Sequence, residues 1–194
     1  MKNIFILAMS MMALNPAVAA ETSLTNIEGY LNSITTLEAD FQQYAPGTPF
    51  TSGTFYLNRP KKFLWQYKLP HQQKLVSTGS RLFFHDPKTE QTTQLPLHSG
   101  FAAILTKNPI SLSGDDFIVH DIKTEEGVTV VEMSLTHDEE NRFVLRFKEN
   151  PMRLLSMSSK DNFGQGVSVL FANHKQGHKL NENLFKFKPA LEAF

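Results

Sequence analysis

The chain has no cysteine at all, a single tryptophan, and no surplus of charge of either sign, with 19 Lys+Arg against 19 Asp+Glu. Each of these shortages excludes something. Without cysteine there are no disulfides, no thiolate nucleophile and no Cys-based metal site, and at 194 residues a hydrophobic core can suffice without cross-links. Lack of cysteine also rules out a lipid anchor of the bacterial lipoprotein type, which needs one just after the leader. Balanced charge, with Lys61-Lys62 the only adjacent basic pair, gives no surface for nucleic acid. No apolar run is long enough for a transmembrane helix.

The first residues form a charged start at Lys2, an apolar stretch from Ile4 to Leu14, and small residues at Pro16-Ala17-Val18-Ala19-Ala20. This is the layout of a secretory leader, with cleavage expected after Ala19 or Ala20. Residues 1–20 are therefore read as a removed signal peptide and residues 21–194 as one domain. Losing Lys2 leaves a net charge of −1.

What the chain has in quantity is phenylalanine, 16 of them, set in short alternating runs. Thr54–Asn58, Phe63–Lys68, Lys74–Ser77 and Arg81–His85 read as four successive strands, separated by Arg59-Pro60-Lys61, Leu69-Pro70 and Thr78-Gly79-Ser80, and closed by Asp86-Pro87. Side chains alternate along a strand, so Phe63, Trp65 and Tyr67 share a face, as do Phe55 and Leu57. Upstream, Leu24, Ile27, Leu31 and Ile34 form the apolar stripe of a helix expected over Ser23 to Thr36, with Thr25-Asn26-Ile27-Glu28 as a capping box. Leu37, Ala39 and Phe41 alternate directly after it as a first strand.

Beyond the meander, Thr89–Leu95 reads as a strand and Phe101–Leu105 as a short helix bounded by Pro96 and Pro109. The C-terminal half returns to strands at Phe117–Ile122, Val128–Leu135, around Phe143–Phe147, Met152–Ser158 and Val167–Asn173. Asp138-Glu139-Glu140-Asn141 is read as a turn, and Phe185 with Phe187 as a last short strand. About eleven antiparallel strands, two helical segments and no βαβ pattern predict a mainly β (α+β) fold, a curved sheet or open barrel. A curved sheet, a covering helix and a short lid carrying Phe101, Ile104 and Leu105 would make a container for an apolar ligand.

Catalytic and metal motifs are weak. His174 and His178 have i, i+4 spacing, but Gly177 between them points to a turn rather than a ligating helix. Gly164-Gln165-Gly166 lacks the remainder of a dinucleotide loop, and no Gly-x-Ser-x-Gly elbow is present. No cofactor, metal or catalytic group is expected. An enzyme acting on an envelope lipid, and an interaction module that senses lipoproteins, stand as rival classes.

Several blocks carry a resemblance. Leu37-x-Ala39-x-Phe41-x-Gln43, Gly53-x-Phe55-x-Leu57-x-Arg59-Pro60, Phe63-x-Trp65, Leu75-Val76-Ser77-x-Gly79-x-x-Leu82-Phe83 and the ending Leu184-Phe185-x-Phe187-x-Pro189 resemble the LolA family of periplasmic outer-membrane lipoprotein carriers. The resemblance implies an incomplete antiparallel barrel closed by helices over an apolar cavity for lipoprotein acyl chains. It implies acylated lipoproteins as cargo, an inner-membrane lipoprotein-releasing ABC transporter as donor, an outer-membrane acceptor of LolB type, and a monomer. Arg59 takes the position of a lid latch and Phe63 that of a residue tied to cargo and partner exchange. The lining is then expected from Ile27, Leu31, Ile34, Phe41, Phe55, Phe63, Trp65, Tyr67, Phe83, Phe101, Ile104 and Leu105. The missing cysteine favours the carrier over the acceptor, itself a lipoprotein. Two departures stand out: the lid Phe101-Ala102-Ala103-Ile104 is light, and little chain follows Phe187 to form a further strand. A carrier of other lipids shares all these features.

Overall fold

A computed structural model describes residues 16–98, 100–160 and 166–188. The expected leader falls outside them as far as residue 15. The chain enters as helix α1 (Pro16–Ser33) and continues into β1 (Thr36–Tyr44), β2 (Thr51–Asn58), β3 (Lys62–Tyr67), β4 (Lys74–Thr78), β5 (Leu82–Asp86) and β6 (Gln91–Leu95). Helix α2 (Gly100–Thr106) follows, then β7 (Phe117–Glu125), β8 (Val128–Leu135), β9 (Asp138–Lys148), β10 (Arg153–Lys160) and β11 (Ser168–Gln176). No described helix is long and apolar enough to cross a membrane.

All eleven strands belong to one antiparallel sheet in the order β6-β5-β4-β3-β2-β1-β11-β10-β9-β8-β7. The two strands joined through α2, β6 and β7, are therefore the opposite edges of the sheet. Their connection has to cross from edge to edge, and this crossing carries α2 over the inner face. Residues from both halves of the sheet bury their side chains in a single cluster with α1 and α2, so the sheet wraps around one interior. That interior includes Phe41, Phe55, Phe63, Trp65, Met133, Phe143, Leu145 and Phe147.

Local chemistry explains the wrapping. Phe41 stands opposite Gly53 across the β1–β2 ladder, and its ring lies over that glycine. A Cβ there would sit 2.1 Å from the Gln66 carbonyl oxygen and 2.5 Å from the ring. Glycine thus lets Phe41 pack edge-on against Trp65 and Tyr67, with ring centroids 5.5 and 5.2 Å apart. Helix α1 is moored by Tyr30, whose hydroxyl accepts from Leu154 N–H at 3.1 Å and from Gln176 at 3.2 Å, tying β10 to β11 where their direct pairing has stopped.

Four expectations are corrected. Helix α1 starts upstream of Ser23 and ends at Ser33, so Thr25–Glu28 lies inside it rather than at its cap, and Ile34 packs from the joining turn. Asp138–Asn141 opens β9, and the turn is at Thr136-His137. His174 lies on β11 and only the residues after Gln176 turn. Glu182–Phe185 is a short 3-10 turn capped by the Asn181 side chain, not a strand. In each case a stretch of four or five residues has no periodicity long enough to tell helix, strand and turn apart.

Candidate functional site

Helix α2 is the lid. Ala102, Ala103, Ile104 and Leu105 are buried against the inner face of the sheet, and the Phe101 ring packs on Phe143 at 5.4 Å. Small residues at 102 and 103 let the helix lie close on the strands. Its last turn is tightened by Thr106, whose hydroxyl donates to the Ala102 carbonyl at 2.7 Å.

The C-terminal end of the lid is held by polar contacts. Arg59, in the turn after β2, donates from Nη1 to the carbonyl of Lys107, just past the helix, where helix carbonyls lack partners of their own. Its backbone N–H donates to Thr35 O at 2.8 Å, which fixes the turn itself. Burial lowers the Arg59 pKa from its ordinary value to about 10, leaving it charged at neutral pH. Arg59 Nε is buried and has no partner among the described residues. Next along the chain, Asn32 on α1 makes a reciprocal pair with Ile110, donating to its carbonyl and accepting from its N–H, both at 2.8 Å. Glu28, one turn earlier, accepts from the N–H groups of Leu112 at 2.5 Å and Ser113 at 3.1 Å.

From sequence Glu28 reads only as the end of a capping box, and Asn32 is not singled out. Their signal was the i, i+4 spacing beside the apolar pair Ile27 and Leu31, which reads equally well as the solvated flank of an amphipathic helix. Only the folded position of residues 110–113 shows what they hold.

Under the lid lies a cavity of about 250 Å³ whose walls include Phe63, Trp65, Tyr67, Leu75, Phe101 and Leu105. A second void of about 30 Å³ is bounded by Leu31, Phe55, Arg59, Ile104, Leu105 and Met157. Leu105 of the lid helix lines both. Tyr67 closes one wall with its hydroxyl donated to Gln43 at 2.8 Å, and burial raises its pKa despite that bond. The Trp65 indole N–H is buried and has no partner among the described residues. Larger hollows exist on the outer face: one of about 810 Å³, where Gln66, Lys68, Lys74 and His85 stand beside Tyr56 and Leu69, and one of about 690 Å³, where Lys62, Arg81 and Glu182 rim the rings of Phe83, Phe185 and Phe187.

Of the lining residues expected from sequence, Ile27, Leu31, Ile34, Phe41, Phe55, Phe63, Trp65, Ile104 and Leu105 share one buried cluster, with Tyr67 and Phe101 packed against it. Phe83 does not join them. It belongs to a separate cluster on the outer face with Leu64, Val76, Leu180 and Phe185, and its ring meets Phe187 at 5.4 Å. Leu82, one residue earlier, faces the interior instead. Three consecutive apolar residues, Leu82 to Phe84, hide which parity points inward, and the outer face has an apolar cover of its own in the C-terminal segment.

An open antiparallel half-barrel, apolar inside and covered by a short helix whose C-terminal end is held by polar contacts, defines the class of fold. Comparison with known proteins gives the particular family. The family model described as outer membrane lipoprotein carrier protein LolA matches residues 32–188. An outer-membrane lipoprotein carrier protein of Methylococcus capsulatus is 36% identical over 180 residues, covering 88% of this chain and 86% of the relative. One from Azotobacter vinelandii is 31% identical over 191 residues, covering 91% and 88%. Among solved structures, an uncharacterized conserved protein from Thermus thermophilus shares the fold, with a TM-score of 0.54 at 13% identity over 88% of this chain and 94% of that one. The chain belongs to the LolA family.

Proposed function

We propose that this protein is a periplasmic carrier that takes up the acyl chains of lipoproteins released from the inner membrane, and conveys them to the outer membrane. Its leader, residues 1–20, is removed on export. An inner-membrane ABC transporter supplies the cargo and an acceptor of LolB type receives it. The protein binds and releases without chemistry on the cargo.

The observation that carries this reading is the lid. It fills the interior with its own apolar side chains, yet it is held at its C-terminal end by a few hydrogen bonds. Burying Ile104 and Leu105 contributes roughly 3–6 kcal/mol. A sixteen-carbon acyl chain gains roughly 12 kcal/mol on leaving water, at about 0.8 per CH₂. Cargo therefore outcompetes the lid for the interior. Reclosure of the lid then returns part of that energy when an acceptor takes the chain, which keeps binding from becoming a trap. The present cavity of about 250 Å³ is below the usual range of ligand pockets, about 300–1,000 Å³, so loading requires α2 to lift and join the two spaces that Leu105 lines.

Two buried donors without partners fit the same cycle. Trp65 Nε1 and Arg59 Nε are unmet in the closed state, each at a cost of about 1–3 kcal/mol. Lifting the lid admits water to Arg59, and the ester carbonyls of an acylated cargo offer acceptors inside the cavity. Both effects favour the loaded state over the closed one.

Mass spectrometry of the protein purified from periplasm under non-denaturing conditions tests the reading. Co-purified lipoprotein is expected. A protein recovered consistently with phospholipid and no lipoprotein would assign it to transport of another lipid, and an empty protein in cells blocked at the acceptor step would refute carriage.

A further inference from the structure

The two edges of the sheet are finished differently. The β7 edge carries His120, Asp121, Lys123 and Glu125 and is interrupted by a bulge between Val119 and Asp121, devices that discourage pairing with another strand. The β6 edge, Gln91-Thr92-Thr93-Gln94-Leu95, has no charge, no proline and a regular register on β5. Among the described residues, no backbone group pairs with its outer side. Four of its five residues are exposed.

This bare edge is continuous with the cavity. Trp65 pairs with Leu75, Leu75 with Phe84, and Phe84 with Thr93, so one inner-face row runs from the cavity wall to the edge. Three strand spacings separate β3 from β6, roughly 14 Å, which an extended peptide spans in four or five residues.

We propose that the β6 edge binds the first residues of the cargo polypeptide as an added antiparallel or parallel strand, beginning about five residues after the acylated one. The proposal rests on the carrier reading. A carrier of many lipoproteins has to hold chains of unrelated sequence, and backbone pairing at a sheet edge is recognition that ignores side chains. Five residues offer only two or three outward-facing positions. That is enough for a weak, reversible grip and far short of the roughly 1,200 Å² of a stable interface between two copies.

The absence of cysteine makes a direct test possible. Thr93→Cys, at an exposed position, would be the only thiol in the protein. It is mixed under mild oxidation with N-palmitoyl decapeptides of Gly, Ser and Thr that bear one cysteine at each position in turn. Disulfide yield is expected to rise near position five and then alternate with a period of two, the mark of a paired strand. Backbone N-methylation at alternate positions from five onward should weaken binding to the wild-type protein by roughly tenfold, as two hydrogen bonds are lost. A flat yield profile and unchanged affinity overturn the edge proposal and leave acyl binding intact. Failure of every palmitoyl peptide to bind removes both readings. Disulfide formation between two copies of the variant without peptide would make the edge a self-interface and also overturn the proposal.

Discussion

Replacing Arg59 by leucine separates the lid's polar latch from its apolar packing. Two effects oppose each other. The charge-assisted hydrogen bond to the Lys107 carbonyl is worth about 1.5–3 kcal/mol and is lost entirely when α2 lifts. Burying the guanidinium, which lowers its pKa from the ordinary arginine value to about 10, costs about 3 kcal/mol in the closed state. Only part of that cost depends on the lid, because the void that Arg59 borders is also lined by Phe55, Leu57, Leu145 and Met157 of the sheet. The hydrogen bond thus outweighs the lid-dependent burial, and the latch favours closure by about 1 kcal/mol. Arg59→Leu removes it and leaves the Lys107 carbonyl unpaired, so the closed state should lose about 1–2 kcal/mol, a factor of roughly 5–30 in population. Arg59→Lys keeps a donor but not the planar fork and should fall between. Two measurements read this. Amide exchange across residues 101–107 should accelerate by that factor, and release of an acyl probe to acceptor or micelles should slow, since reclosure no longer competes with the chain. In cells, Arg59→Leu should accumulate as a loaded periplasmic complex. Unchanged lid exchange and release would remove the latch from the account. Slower exchange in Arg59→Leu would show instead that desolvation dominates and that Arg59 props the lid open.

Phe63 is fully buried yet lines the cavity, so Phe63→Glu places a carboxylate in an apolar wall next to open space. The variant should keep its far-UV circular dichroism, lose several degrees of melting temperature and fail to bind acyl peptide; intact binding would contradict a cavity role. Asn32→Ala breaks both bonds to Ile110 and should cost about 2 kcal/mol, a drop of roughly 4–8 °C in melting temperature, with faster exchange at residues 107–113. Stability unchanged within about 1 °C would mean that the post-lid loop is held by other contacts.

Much of the sheet was legible because its strands announce themselves twice, by alternation and by the prolines and glycines between them. Phe63, Trp65 and Tyr67 could be assigned to one face of their strand from parity alone, and Phe55 with Leu57 to one face of theirs; the pairing of Phe55 with Trp65 that joins the two came with the register. The lid could be seen as a helix from the alanines of residues 101–105, but its place over the interior could not. That follows from β6 and β7 being opposite edges, which is a property of the whole sheet. The clamp on the following loop was hidden for a similar reason: Glu28 and Asn32 act on backbone groups far along the chain, 84 and 78 residues away, and no local pattern encodes such a partner. Phe83 was misplaced because parity fails where apolar residues run consecutively. The Arg59 contact entered through family likeness, and its geometry, one donor engaged and Nε unmet, came only with the fold.

The central claim is that acyl chains occupy the interior beside β3, and the chain's one tryptophan reports on that spot. Trp65 is 4% exposed and lines the cavity. The measurement is titration of the protein with a palmitoylated peptide carrying bromine atoms midway along the acyl chain, following Trp65 emission beside an unbrominated control. The account expects the unbrominated peptide to shift the emission and the brominated one to quench it strongly, both saturating at the same concentration. Saturable binding of the brominated peptide, shown independently by calorimetry, with no quenching of Trp65 would place the chain elsewhere and contradict the account.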